Sequence, residues 1–130
     1  MPLTTAKMIT INPGQPAQIP PELTQQLQQT NAIAIATTGE IRIIPTQSPQ
    51  TIKITITIDK LTQKFLKELG TIIVKNNITF LYTTGLCKKG KQCYYEAYLD
   101  KAQLKTDPQQ LMQQIQQIQG VSSVEITTIT

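Results

Sequence analysis

Ile52-Lys53-Ile54-Thr55-Ile56-Thr57-Ile58-Asp59 is the stretch that decides the fold. Isoleucine alternates with lysine or threonine, the period of a strand that buries one face and keeps the other polar. β-Branched side chains suit such a pleated surface. Immediately afterwards the period changes. Leu61, Phe65, Leu69 and Ile72 recur at spacings of four, four and three, which places them on one stripe of a helix. Asp59 suits the N-cap, so the pattern predicts a helix over 59–75, ended by Asn76-Asn77. A one-faced strand followed by a one-faced helix must bury the two apolar surfaces against each other.

Downstream, residues 78–87 read as a second strand, Lys88-Lys89-Gly90-Lys91-Gln92 as a polar hairpin loop, and 93–100 as a third strand. Asp107-Pro108 supplies an N-cap and a proline at the first helical position. Leu111, Ile115 and Ile118 form the apolar stripe, with Met112 beside it, and Gly120 is the stop signal for a helix over 108–120. Residues 121–130 are the last strand. The order is β-α-β-β-α-β, so the expected class is α+β with a ferredoxin-like unit over 52–130.

Upstream, Pro45-Thr46-Gln47-Ser48-Pro49-Gln50 reads as a linker, and 46–51 divides the chain. Before it, short strands are expected at 7–11 and 18–19, on either side of the Gly14-Gln15 turn. Pro20-Pro21-Glu22 opens a helix through Leu23 and Leu27 towards Asn31. Residues 32–37 and 40–45 then form a hairpin around Thr38-Gly39. So short a segment with few large apolar side chains cannot bury enough area alone and needs a partner chain.

Composition narrows the function. Thr, Ile and Gln supply 57 of 130 residues, and charged residues are 15%, well below the ~25% of an average globular protein. With no histidine, Ser-His-Asp and Cys-His catalysis and His-metal sites are excluded. The carboxylates are scattered, and no phosphate-cradling glycine loop or dinucleotide fingerprint appears. A non-enzymatic protein without cofactor or metal is expected. No apolar run is long enough to span a membrane and residues 1–10 lack a signal-peptide pattern, so a cytoplasmic protein is expected. The formal charge is +4. Residues 1–50 are neutral, with Lys7 and Arg42 against Glu22 and Glu40; all of the excess lies in 51–130.

Two resemblances follow from particular residues. Leu81-Tyr82-Thr83-Thr84-Gly85, the next strand, and Ile118-Gln119-Gly120-Val121 with Val124 and Thr127 resemble the ligand-binding domain of Lrp/AsnC transcriptional regulators and the related ACT domains. That resemblance implies the β-α-β-β-α-β fold, pairing of subunits, and binding of a small molecule such as an amino acid. Residues 1–45 resemble the AbrB/MazE-type swapped-hairpin domain, through Met8-Ile9-Thr10-Ile11, Gly14-Gln15, Ile19-Pro20-Pro21-Glu22-Leu23, Thr38-Gly39-Glu40-Ile41 and Pro45. It implies an intertwined dimer that binds DNA, with Lys7, Asn12, Gln15, Gln18 and Arg42 as the contacting residues. Two cations per chain release few counterions, so a dimer offers four.

The remaining constellations each carry two readings. Lys88, Lys89 and Lys91 form the one tight basic cluster in the sequence, beside Gly85, and read either as a ligand or anion contact or as a solvated loop tip that discourages edge aggregation. Cys87 and Cys93 flank that loop, where a disulfide, two free thiols or part of a shared metal site are the alternatives. Tyr82, Tyr94, Tyr95 and Tyr98 fall on the second and third strands of the unit, where a face for subunit pairing explains them better than base stacking. Seven glutamines over 108–120 cover a polar helix face. The expected function is a homo-oligomeric DNA-binding transcriptional regulator with a small-molecule-sensing domain. The alternative is an assembly module in which the hairpin segment only dimerises.

Overall fold

In the computed structural model, which describes residues 3–130, the chain is α+β. The first two residues of the 1–45 segment lie outside the described residues. The elements run α1 (Pro21–Thr24), β1 (Asn31–Thr37), β2 (Glu40–Thr46), β3 (Thr51–Ile58), α2 (Gln63–Lys75), β4 (Tyr82–Cys87), β5 (Cys93–Asp100), a 3-10 turn (Lys101–Gln103), α3 (Pro108–Gln116) and β6 (Val121–Ile129). β3 is central: it pairs antiparallel with β5 on one side and β6 on the other, and β4 closes the sheet beyond β5 in the order β4-β5-β3-β6.

The alternation of 52–58 explains this position. Ile52, Ile54, Ile56 and Ile58 are essentially fully buried, against Phe65, Leu69 and Ile73 of α2 and Leu111 and Ile115 of α3. Each isoleucine contributes roughly 1.5–3 kcal/mol by leaving water. Both helices therefore cover the same face. Lys53, Thr55 and Thr57 point to the opposite face, in register with Tyr98, Glu96 and Tyr94 of β5.

Boundaries depart from the sequence pattern in instructive ways. α2 begins at Gln63, because Thr62 rather than Asp59 is the cap: its hydroxyl accepts from the Phe65 amide at 3.1 Å. The Asp59 amide instead donates to the Gly120 carbonyl at 3.0 Å, extending the sheet edge before the helix can start. β4 begins at Tyr82, since Ile78 is drawn into the core with its amide held by the Ile73 carbonyl. α3 stops at Gln116, and the chain turns through 117–120 with Gly120 at φ +93°.

The largest departure is upstream. No strand forms at 7–11 or 18–19, and the helix opened by Pro20 is only the four residues of α1. Of residues 3–30, Pro20 alone is even partly buried. Within one chain these residues meet neither a free strand edge nor an apolar surface, and a β-prone sequence without either stays extended.

The hairpin expected around Thr38-Gly39 does form, with β1 and β2 antiparallel and Gly39 at φ +96°. A two-stranded ribbon is marginal alone. Here Ile33, Ile35 and Ile44 pack on Tyr98, Tyr82, Leu81 and Ile129, on the face of the sheet away from the helices. Residues 47–50 are not slack. The buried Asp100 carboxylate accepts from the backbone amides of Gln47 at 2.6 Å, Ser48 at 3.3 Å and Ala102 at 3.1 Å. Charge-assisted bonds to a buried carboxylate are stronger than neutral ones, and removing the acceptor strands three amides. Asp100→Ala should lower the unfolding free energy by about 2–4 kcal/mol. In a denaturant titration with amide exchange, the Gln47 and Ser48 amides should lose protection first.

Candidate functional site

The residues expected to touch DNA fall on two parts of the chain, the extended segment before α1 and the strand β2. Asn12 and Gln15 share a turn, with the Gln15 amide donating to the Asn12 carbonyl at 2.9 Å and Gly14 at φ +80°. Lys7 and Gln18 are exposed in the same extended segment. Arg42 stands apart on β2. Its Nε donates to Glu40 Oε1 at 2.7 Å, and its guanidinium lies 5.1 Å from the centre of the Tyr82 ring. The hydrogen bond that Arg42 donates to Glu40, together with the charge of that carboxylate, raises the Arg42 pKa above its ordinary value. One of the two cations of this segment is already occupied.

The hairpin's outward face was not singled out by the sequence pattern. Opposite the buried Ile33 and Ile35 and the half-buried Ile44, the pairing register brings Ala32 beside Pro45, Ala34 beside Ile43 and Ala36 beside Ile41. Ile41 is 63% exposed and Ile43 49%. The hairpin is thus apolar on both sides, and only one is covered. The signal was present as the unbroken Ala-Ile alternation of 32–36, in which neither parity is polar.

At the other end of the sheet, Cys87 and Cys93 are the last opposed pair of β4 and β5, and their sulfurs are bonded. The Cys93 side belongs to the core while Cys87 is exposed. Between them Lys88, Lys89 and Lys91 project from a turn closed by the Lys91 amide on the Lys88 carbonyl, 3.0 Å, with Gly90 at φ +72°. Gly85 lies on β4 beside the β3–α2 connection. A Cβ there would lie 2.7 Å from Leu61 Cδ1, so the missing side chain makes room for the β3–α2 connection.

The tyrosines do not share a face. Tyr95 points to the helices and meets Phe65 edge-on, with ring centres 5.8 Å apart. Tyr82 and Tyr98 lie under the hairpin, and Tyr94 stays on the open face, 41% exposed. There a shallow cleft of about 310 Å³ is lined by Thr84, Leu86, Lys88, Tyr94 and Glu96. Beside it Lys53 donates to Glu96 Oε2 at 2.9 Å and sits 5.5 Å from the Tyr98 ring centre. The Glu96 hydrogen bond raises the Lys53 pKa above its ordinary value, and partial burial opposes this. A second cleft of about 350 Å³ opens where β3 meets α2, lined by Asp59, Lys60, Thr62, Lys64, Phe65, Glu68 and residues 118–120.

No protein-family model matches the chain, and no curated protein matches it. Among solved structures it is similar to the C-terminal domain of the MgtC protein from Mycobacterium tuberculosis, determined in solution. The two share 15% identity and superpose with a TM-score of 0.46 over 62% of this chain and 87% of that one. It is also similar to an uncharacterized protein from Thermotoga maritima, at 16% identity and a TM-score of 0.39, over 62% of this chain and 92% of the other.

Two measurements test this geometry. Because the folded-state pKa of Lys53 is raised, its stabilising contribution is full below the unfolded lysine value of about 10.4 and is lost as pH rises through the folded value. Wild type should therefore lose stability above about pH 10 more steeply than Lys53→Met, compared by thermal melts. Reducing the Cys87–Cys93 bond should cost about 2 kcal/mol, the loop-closure value for so short a ring. Paired denaturant titrations with and without a dithiol reductant check it.

Proposed function

We propose that the chain is a homo-oligomeric DNA-binding transcriptional regulator. In this reading residues 1–45 form a swapped-hairpin dimer, and a ferredoxin-like domain over 52–130 sets the oligomer geometry and senses a small molecule. The carrying observation is the apolar outer face of the hairpin, Ala32, Ala34, Ala36, Ile41 and Ile43, together with the uncovered Met8, Ile9, Ile11, Ile19 and Leu27 of the same chain. An apolar face and a β-prone segment that find no cover within one chain find it in a second copy. The free edge of β1 also offers unpaired amides and carbonyls to an incoming strand.

Support for the ferredoxin-like reading is the strand order β4-β5-β3-β6 with both helices on one face. Support for sensing is the cleft on the open face, where charges of both signs stand at one small site: Lys88, and Glu96 whose carboxylate already accepts from Lys53. DNA binding follows from the swapped-hairpin resemblance and the positive charge.

A second reading, an assembly module whose hairpin only dimerises, is favoured by the engagement of Arg42 with Glu40 and Tyr82. Light scattering after size exclusion should find a dimer or larger species at micromolar concentration. The double variant Ile41→Lys/Ile43→Lys should shift it towards monomer, and a monomeric wild type contradicts both readings. Electrophoretic shifts then separate them. Complexes with duplex DNA at about 50 mM salt that weaken steeply as salt rises support the regulator. Absence of any shift at that salt leaves the assembly module.

A further inference from the structure

Lys60 and Lys64 meet the Lys88, Lys89 and Lys91 cluster at one end of the sheet, although more than twenty residues separate them in the sequence. Ile58, the last residue of β3, is opposite Cys93 of β5 and Val121 of β6, and Cys93 is opposite Cys87 of β4. The connections that leave these strand ends therefore lie side by side. One carries Lys60 and, at the start of α2, Lys64; the other carries Lys88, Lys89 and Lys91. Direct bonds tie the neighbouring connections together: Gln92 Nε2 donates to Ser122 Oγ at 3.2 Å, and Lys64 Nζ donates to Gln119 Oε1 at 3.4 Å. All five lysines are exposed. Among the described residues the ion pairs are Arg42–Glu40 and Lys53–Glu96, so none of the five is neutralised by a carboxylate. Three acids lie nearby: Asp59 and Glu68 line a cleft with Lys60 and Lys64, and Glu96, already paired with Lys53, lines another with Lys88.

We infer that this pole of the β3–β6 unit, formed by Lys60, Lys64, Lys88, Lys89 and Lys91, is a contact surface for the phosphate backbone of duplex DNA. The inference rests on the DNA-binding reading above and moves most of its charge from the hairpin segment to the opposite end of the sheet. The lysines are spread over neighbouring strand ends about 5 Å apart and converge on no buried pocket. A small anion is held by convergent donors, whereas dispersed cations match a charge every ~3.4 Å along a DNA strand. Thr62, Gln92 and Gln119 are exposed among them and offer hydrogen bonds to phosphate and sugar. Leu86, 58% exposed, lies beside Lys88, and a single leucine is far less apolar surface than the face of a helix that enters a bilayer. The hairpin covers the far end, around Tyr82, Tyr98 and Ile129, so it leaves the pole open.

Filter binding of one duplex to the full-length protein, titrated with salt, tests the assignment. The variant Lys88→Gln/Lys89→Gln/Lys91→Gln should bind about tenfold or more weakly at 100 mM salt, and its log–log salt slope should fall by about three for each subunit in contact with the duplex. Adding Lys60→Gln and Lys64→Gln should remove about two more per subunit. Lys7→Ala/Arg42→Ala should change the slope by no more than about two per subunit. Circular dichroism and light scattering should show every variant folded and assembled like wild type. If wild type binds and the pole variants bind equally well, the pole assignment falls while the regulator stands. If wild type binds no duplex, both fall. Loss of binding to anionic phosphatidylserine vesicles, with DNA binding unaffected, also overturns the assignment in favour of a membrane surface.

Discussion

The central strand β3 has two unequal faces, and every other element answers to that inequality. Its four isoleucines demand an apolar cover along the whole length of the strand, which α2 and α3 supply together from one side. Its lysine and threonines demand only partial cover on the other side. The hairpin provides that at one end, over Tyr82 and Tyr98, and leaves the remainder open. Hydrogen bonding to neighbours on both sides removes β3 from solvent and places the edges of the four-stranded sheet at β4 and β6.

The hairpin is held to this scaffold by two different forces. Ile33, Ile35 and Ile44 bury apolar area against the tyrosines, which tolerates small displacements. Asp100 is directional. Its carboxylate receives amides from the chain just before β3 and from the turn just after β5, so it fixes the angle at which the upstream segment leaves the sheet. A proline-containing connection that looks like a tether in the sequence is thus a pinned corner.

The readable part of the molecule was the part whose elements complete one another within 52–130. The Ile52–Ile58 alternation, the stripe of Phe65 and Leu69 and the stripe of Leu111 and Ile115 all became buried faces, because each periodic pattern had a matching apolar surface in the same chain. The unread part had two causes. Residues 7–11 and 18–19 have strand-like composition but no partner edge in one chain, so local preference was not enough. Thr62 displaced Asp59 as helix cap because the Asp59 amide was taken by Gly120, a residue sixty positions away that no local signal announces. Of the candidate sites, Lys88, Lys89 and Lys91 were visible as a cluster. Their proximity to Lys60 and Lys64, the role of Asp100 and the packing reason for Gly85 were not.

The amino-acid sequence by itself determined the α+β class, the order of elements in the second part of the chain, the hairpin at Thr38-Gly39 and most of the main core, although Ile73 rather than Ile72 is the buried residue at the end of the α2 stripe. These follow from side-chain periodicity and local turn chemistry, which act over a few residues. Tertiary structure alone decided which strand ends lie together, which face the hairpin covers, and which charges are paired. Those depend on strand register and on the closing of contacts between residues fifty or more positions apart, such as Gln47 with Asp100 and Asp59 with Gly120. No local pattern encodes such contacts; they arise only when the chain satisfies all its buried surfaces and backbone hydrogen bonds at once.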